Sequence, residues 1–203
     1  MFQAAEQRPI DGVTEDLTRQ TPLAKLVYRM RGNLVAPAIF AAGAVAWGAH
    51  PRPLDLIAGG LTFLVGCAGR AWSQCHLGYR LNRRMHLTTC GPYRWVRNPV
   101  YIANTLLVVG TTLMTGNHVL VAAATLLCGS VYALTVRYEE GRLARTYGHD
   151  YIEYYLATPR WIPTNPGSAV PPCDCKRSWT DVAKAEWQVS LLLVPILLEL
   201  VRW

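Results

Sequence analysis

Four long apolar runs organise this chain: residues 33–49, 54–72, 100–115 and 119–136. Each is about 16–19 residues, near the lower limit for a helix crossing a hydrocarbon core of roughly 30 Å. The breaks within each pair are short. His50, Pro51, Arg52 and Pro53 separate the first two runs, and Gly116, Asn117 and His118 the last two. Such tight connections predict two transmembrane helical hairpins, with helices over about 33–49, 54–72, 100–115 and 119–147. Gly59, Gly60, Gly66, Gly69 and Ala122 to Ala124 suit close helix packing in a membrane. A fifth apolar run, 187–201, contains Pro195 and Glu199 and predicts a fifth, C-terminal membrane helix, either crossing the bilayer or lying in its interface. The expected fold is therefore all-α, a polytopic integral membrane protein with a cytosolic polar segment. Its expected parts are an N-terminal cytosolic or interfacial segment, 1–32, a membrane core, 33–163, and a linker with the C-terminal apolar helix, 164–203. Within the first part, Leu23, Leu26, Val27 and Met30 oppose Lys25, Arg29 and Arg31, the pattern of an amphipathic helix on a membrane surface.

Composition supports that assignment. Of 203 residues, 51% are hydrophobic and 16% charged, and the mean hydropathy is +0.14. An ordinary small soluble domain is more polar. The net charge of +7 admits a nucleic-acid binder, but the basic residues sit in the loops between apolar runs. That placement fits anionic lipid headgroups, so membrane lipids are expected partners and nucleic acid is not. Lys and Arg crowd the region before the first run, the loop 73–98 (Arg80, Arg83 and Arg84 among them) and the region after Val136. The hairpin turns hold only Arg52. The positive-inside rule then puts loop 73–98 and segment 137–163 together on the cytoplasmic side of an inner or plasma membrane. The polar, mixed-charge N-terminus predicts no cleavable secretory signal. Of the six cysteines, Cys67 and Cys128 lie in apolar runs, and Cys75, Cys90, Cys173 and Cys175 lack paired zinc-site spacing, so no metal is expected.

Two polar segments carry the candidate chemistry. The first, 87–101, contains Gly91, Pro92, Tyr93, Arg94, Trp95, Arg97, Asn98, Pro99 and Tyr101 directly before an apolar run. The second, 137–163, contains Glu139, Glu140, Arg142, Arg145, Tyr147, Gly148, Tyr151, Tyr154, Tyr155, Pro159, Arg160, Trp161 and Pro163. Adjacent carboxylates at a membrane edge need positive charge nearby. They either form a solvated helix face paired with Arg142 and Arg145 or take part in a site. The three tyrosines at helical spacing are either a packed face or a pocket wall, and Trp95 and Trp161 suit interfacial anchors.

These two segments, in this order, resemble the isoprenylcysteine carboxyl methyltransferase family over about residues 76–163. Its wider relatives include phospholipid N-methyltransferases and, more distantly, sterol reductases. The resemblance implies a small helical membrane enzyme that uses S-adenosyl-L-methionine and receives a lipophilic small-molecule or lipidated acceptor from the bilayer. The implied reaction is carboxyl O-methylation of an isoprenylcysteine-like or other hydrophobic acid. Phospholipid-type N-methylation, an NADPH-dependent sterol-type reduction and a non-catalytic membrane scaffold are the alternatives.

The implied cofactor contacts are Tyr93, Arg97, Asn98, Pro99, Tyr101, Asn104, Glu139 and Glu140. Glu139 or Glu140 suits the cofactor's amino group or ribose hydroxyls, and Arg97 its carboxylate. Tyr93 or Tyr101 suits the adenine or the sulfonium. Arg160 and Glu140 are the catalytic candidates, and Arg160, Tyr151 and Tyr155 the acceptor contacts, with Arg160 orienting an anion. The family's motif has histidine where this chain has Asn98, and Ala103 and Asn104 stand near its usual glycine. Asparagine can donate and accept hydrogen bonds but does not titrate near neutral pH. An acceptor that is already ionised needs no general base.

Overall fold

The structure, a computed structural model, describes residues 21–45, 51–77 and 87–163, together with Gly12, Asp16, Leu17, Arg19 and Thr180; for Asn33 and residues 35–45 it describes the backbone alone. The apolar run 187–201, Cys173, Cys175 and the basic run Arg80, Arg83 and Arg84 lie outside the described residues, and so does the expected fifth helix.

The described residues form five helices: α1 (Pro22–Val45), α2 (Pro53–Leu77), α3 (Pro99–Leu113), α4 (His118–Tyr147) and α5 (His149–Ala157). A 3-10 turn, Gly91–Arg94, precedes α3. Thr21 starts α1, its hydroxyl accepting the Ala24 N–H at 3.2 Å, as an N-cap does. The expected surface helix and the first apolar run are one continuous helix, because only Gly32 and Asn33 lie at their junction and neither breaks a helix outright. Asn117 caps α4, its side chain accepting the Leu120 N–H at 3.1 Å. Gly148, at φ +56°, ends α4 and donates to the Ala144 carbonyl at 2.9 Å.

Helices α2 and α4 are long and apolar enough to cross a membrane by length and composition. Helix α3, at 15 residues, is about 22 Å long at ~1.5 Å per residue and falls short of a full crossing. It packs tightly along α2. A Cβ on Gly110 would lie 2.6 Å from the Phe63 nitrogen, and one on Gly66 would lie 2.9 Å from the Leu107 nitrogen. Backbones this close need glycine. The outer face of α2 exposes Leu54, Ile57, Leu61, Leu64 and Val65, a helical stripe that suits lipid contact. Tyr101, Val108, Cys128, Val131, Tyr132 and Val136 form the inner core, with Val27 and Leu34 of α1 and Trp161 packed against it. Trp161 thus packs inward.

Candidate functional site

The two polar segments meet. The Arg97 N–H donates to the Pro159 carbonyl at 2.9 Å, and the Tyr154 hydroxyl donates to the Tyr93 carbonyl at 2.7 Å. Gly91, at φ +60°, lets the 3-10 turn press onto α2; a Cβ there would lie 2.5 Å from the His76 ring. Pro99 opens α3 and so ends the loop where its missing N–H has no cost.

Glu140 fastens this junction. It is 1% exposed. Its Oε1 accepts Arg97 Nε at 3.0 Å and Arg160 Nε at 3.2 Å, and its Oε2 accepts Arg160 Nη2 at 2.6 Å. Arg97 Nη1 also donates to the carbonyls of Tyr155, at 2.7 Å, and Thr158, and its guanidinium lies 4.0 Å above the Tyr155 ring centre. A buried carboxylate needs such partners to remain ionised. Burial by itself lowers the Arg160 pKa, but the hydrogen bond and charge of Glu140 outweigh it and hold the guanidinium above its ordinary value. For Glu140 this replaces the solvated-face alternative, in which Arg142 and Arg145 were the partners.

Beside this junction opens a cavity of about 420 Å³, lined by residues of α1, α2, the 87–98 loop, α3, α4 and α5. Of the expected residues, Tyr93, Arg97, Asn98, Tyr101, Asn104, Glu139 and Tyr151 line it. The Tyr101 hydroxyl donates to Glu139 Oε2 at 2.8 Å, and the Tyr101 ring stacks at 5.0 Å on Tyr132. Asn98 is buried, and its Nδ2 has no acceptor among the described residues. Burial pushes the phenols of Tyr151 and Tyr154 well above the ordinary tyrosine value, with Glu140 pushing the same way and Arg97 opposing. Both therefore stay neutral donors at neutral pH.

Glu140, Arg160 and Tyr155 are placed on a second, adjoining cavity of about 270 Å³, with Arg19, Arg137 and Tyr138. The expected set thus divides: the cofactor candidates other than Glu140 and Pro99 line the larger cavity, and the proposed anion-orienting arginine lies on the second. Pro99 shapes the loop and lines neither cavity. Arg70, Arg31, Arg142, Tyr28, Gln74 and Thr88 also line the larger cavity, and sequence reasoning assigned none of them to a site. Arg70 carried a usable signal, a charge inside an apolar run. Its Nη1 donates to the Asn104 side-chain oxygen, so Asn104 faces the cavity and α2 rather than lipid.

Residues 55–150 match the phospholipid methyltransferase family. That stretch contains every expected cofactor contact, and the resemblance carried by the two motifs stands. Among individual proteins, the cobalt-zinc-cadmium resistance protein CzcN of Cupriavidus metallidurans is 31% identical over 116 residues, 57% of this chain and 52% of that protein. The nickel-cobalt-cadmium resistance protein NccN of Alcaligenes xylosoxydans is 30% identical over 108 residues, 53% of this chain and 49% of that protein. Protein-S-isoprenylcysteine O-methyltransferase B of Arabidopsis thaliana is 32% identical over 98 residues, 47% of this chain and 48% of that protein. The chain spans about half the length of the curated relatives it matches. No solved structure matches it.

Proposed function

We propose that this chain is an integral membrane methyltransferase that uses S-adenosyl-L-methionine, with its larger cavity open to the cytoplasmic side. The observation that carries this reading is the convergence of Tyr93, Asn98, Tyr101, Asn104 and Glu139 on one cavity of about 420 Å³, all from the stretch that matches the methyltransferase family. A cavity of that size suits a small cofactor.

The donor set fits the cofactor's groups. Glu139, which accepts from Tyr101, is a carboxylate of the kind that suits an ammonium or ribose hydroxyls. The buried Asn98 amide supplies a donor whose acceptor the described residues do not provide, which suits a carboxylate. The rings of Tyr93 and Tyr101 offer faces to a purine or a sulfonium. Arg97 is a positioning residue in this reading, because Glu140 and two carbonyls hold its guanidinium. Glu140 and Arg160 act in the same way, by fixing the 87–98 loop against α4 and α5.

Held by Glu139, Asn98 and the rings of Tyr93 and Tyr101, the cofactor would supply an electrophilic methyl carbon for an acceptor carboxylate oxygen, its sulfur being the leaving group. No proton moves in such a transfer, and the one carboxylate among the described lining residues, Glu139, accepts from the Tyr101 hydroxyl. Among the described residues no histidine lines the cavity, and Tyr151 and Tyr154 are held neutral. That chemistry favours carboxyl O-methylation of a hydrophobic acid over N-methylation, since an amine must lose a proton. The protein's part is alignment, worth several kcal/mol for well-oriented reactants.

The metal-resistance names of two relatives belong to those proteins. Among the described residues no group of three or more His, Cys, Asp or Glu could hold a metal ion. Transfer of labelled methyl from S-adenosylmethionine into a base-labile lipid fraction tests the proposal. Label in a base-stable fraction would instead indicate N-methylation, and no transfer to any lipid would refute the reading.

A further inference from the structure

The cavity's charge does not match its proposed cofactor. Among the described residues, Arg31, Arg70, Arg97 and Arg142 line it against one carboxylate, Glu139. Arg97 is balanced by Glu140 behind the wall, and Arg70 is engaged by Asn104. Arg31 and Arg142 are different. Arg31 Nη1 donates to the Tyr28 carbonyl at 2.7 Å and its guanidinium lies 4.2 Å over the Tyr28 ring. Arg142 Nη1 donates to the Tyr28 hydroxyl at 3.2 Å. Neither forms an ion pair with a carboxylate among the described residues. Tyr28 in turn stacks on Tyr138 of α4 at 4.8 Å, so α1 and α4 hold the pair as a unit.

S-Adenosylmethionine carries a sulfonium, an ammonium and one carboxylate, a net charge of about +1. It adds to the surplus. An anionic second ligand removes it. We infer that Arg31 and Arg142, arranged around Tyr28, form the subsite for the anionic group of the lipophilic methyl acceptor. This rests on the methyltransferase reading. It places half of acceptor selection, Arg31 on α1, outside the residues 55–150 shared with the family, and the other half, Arg142 on α4, inside them. It also moves the anion-binding role from Arg160, which lies on the other cavity, to residues that share a cavity with the cofactor candidates. A guanidinium pair binds a carboxylate or a phosphate through the same forked donors. Methylation of a carboxylate gives a neutral ester, which loses that attraction, so the subsite favours substrate over product and assists release.

The test is calorimetric titration of the full chain in neutral maltoside micelles with dodecanoate, dodecyl phosphate and dodecanol, with S-adenosylhomocysteine titrated in parallel. The wild type is expected to prefer an anion over dodecanol, and the ratio of dodecanoate to dodecyl phosphate affinity distinguishes a free acid from a phospholipid headgroup. Arg31→Gln and Arg142→Gln are each expected to lower that preference about tenfold while S-adenosylhomocysteine affinity stays within about twofold. An unchanged preference in both variants overturns the inference. So does a parallel loss of S-adenosylhomocysteine binding, which would assign the arginines to the cofactor. A wild type that prefers anions and loses that preference in the variants, yet binds no S-adenosylhomocysteine, keeps the subsite and overturns the methyltransferase reading alone. Should a glutamine variant fail to fold, Arg31→Lys and Arg142→Lys take its place. They keep the charge but lose the fork, so a fall of about threefold is expected and an unchanged preference again overturns the inference.

Discussion

Glu140→Gln removes one negative charge from a position that is 1% exposed and leaves the side-chain shape nearly unchanged. Two guanidinium groups then face a neutral amide. Arg97 is the more damaging of the two, because its side chain is 8% exposed and water cannot replace the lost partner. Removing one member of a buried ion pair costs about 3–5 kcal/mol. Arg160 adds little, since its side chain is 31% exposed and solvent screens it. The amide oxygen keeps one hydrogen bond, so the expected loss is near the low end, ~3 kcal/mol, or roughly a hundredfold in the unfolding equilibrium. Arg160→Gln leaves the Arg97–Glu140 pair intact and is expected to cost about 1 kcal/mol. Unfolding by dodecyl sulfate in mixed micelles, followed by near-ultraviolet circular dichroism, measures both. A Glu140→Gln protein as stable as the wild type, or an Arg160→Gln protein equally destabilised, would refute the assignment of Glu140 as the fastening of the site.

Three other substitutions or conditions probe separate parts of the molecule. Gly110→Ala puts a Cβ 2.6 Å from the Phe63 nitrogen, and the required separation of α2 and α3 should cost ~1–3 kcal/mol in the same assay; Gly129→Ala, with nothing within 4 Å, should not destabilise. Burial raises the phenols of Tyr151 and Tyr154 above the ordinary value of 10.0. The unfolded chain releases those protons first, so their contribution to stability is full below that value and is lost as pH rises above it. Phenolate absorbance that reported both tyrosines ionised in the folded protein at their ordinary value would contradict this. Arg70→Gln removes the donor to Asn104 and should weaken S-adenosylhomocysteine binding several-fold at little cost in stability, as calorimetry and circular dichroism would report together.

The sequence made the hairpin breaks legible because they depend on local chemistry. Gly116 and Asn117 form the turn, Asn117 caps α4 and Gly148 stops it, each for reasons confined to a few residues. The meeting of segments 87–101 and 137–163 was also legible, since the distribution of basic residues put them on one side. Other features depend on which way a side chain points, and periodicity does not supply that. Glu139 and Glu140 are neighbours in sequence, yet one lines the larger cavity and the other turns away to join Arg97 and Arg160. Arg97 has a motif position that suggests a ligand contact, but its fork is taken by Glu140 and two backbone carbonyls. Arg31 lies in an amphipathic stretch that reads as a surface helix, and only the pairing of α1 with α4 brings it to the cavity. The shortness of α3 was legible, since its apolar run of 100–115 already sat at the lower limit; only its end, at Leu113 and not Thr115, differs.

Calorimetric titration of S-adenosylhomocysteine into the detergent-purified full chain, beside its Glu139→Gln variant, tests the account most directly. Glu139 lines the larger cavity and can change without disturbing the Glu140 junction. Saturable binding by the wild type, weakened about tenfold in the variant, is the expected result. A folded wild-type protein that binds no S-adenosylhomocysteine would contradict the cofactor assignment and the methyltransferase reading with it.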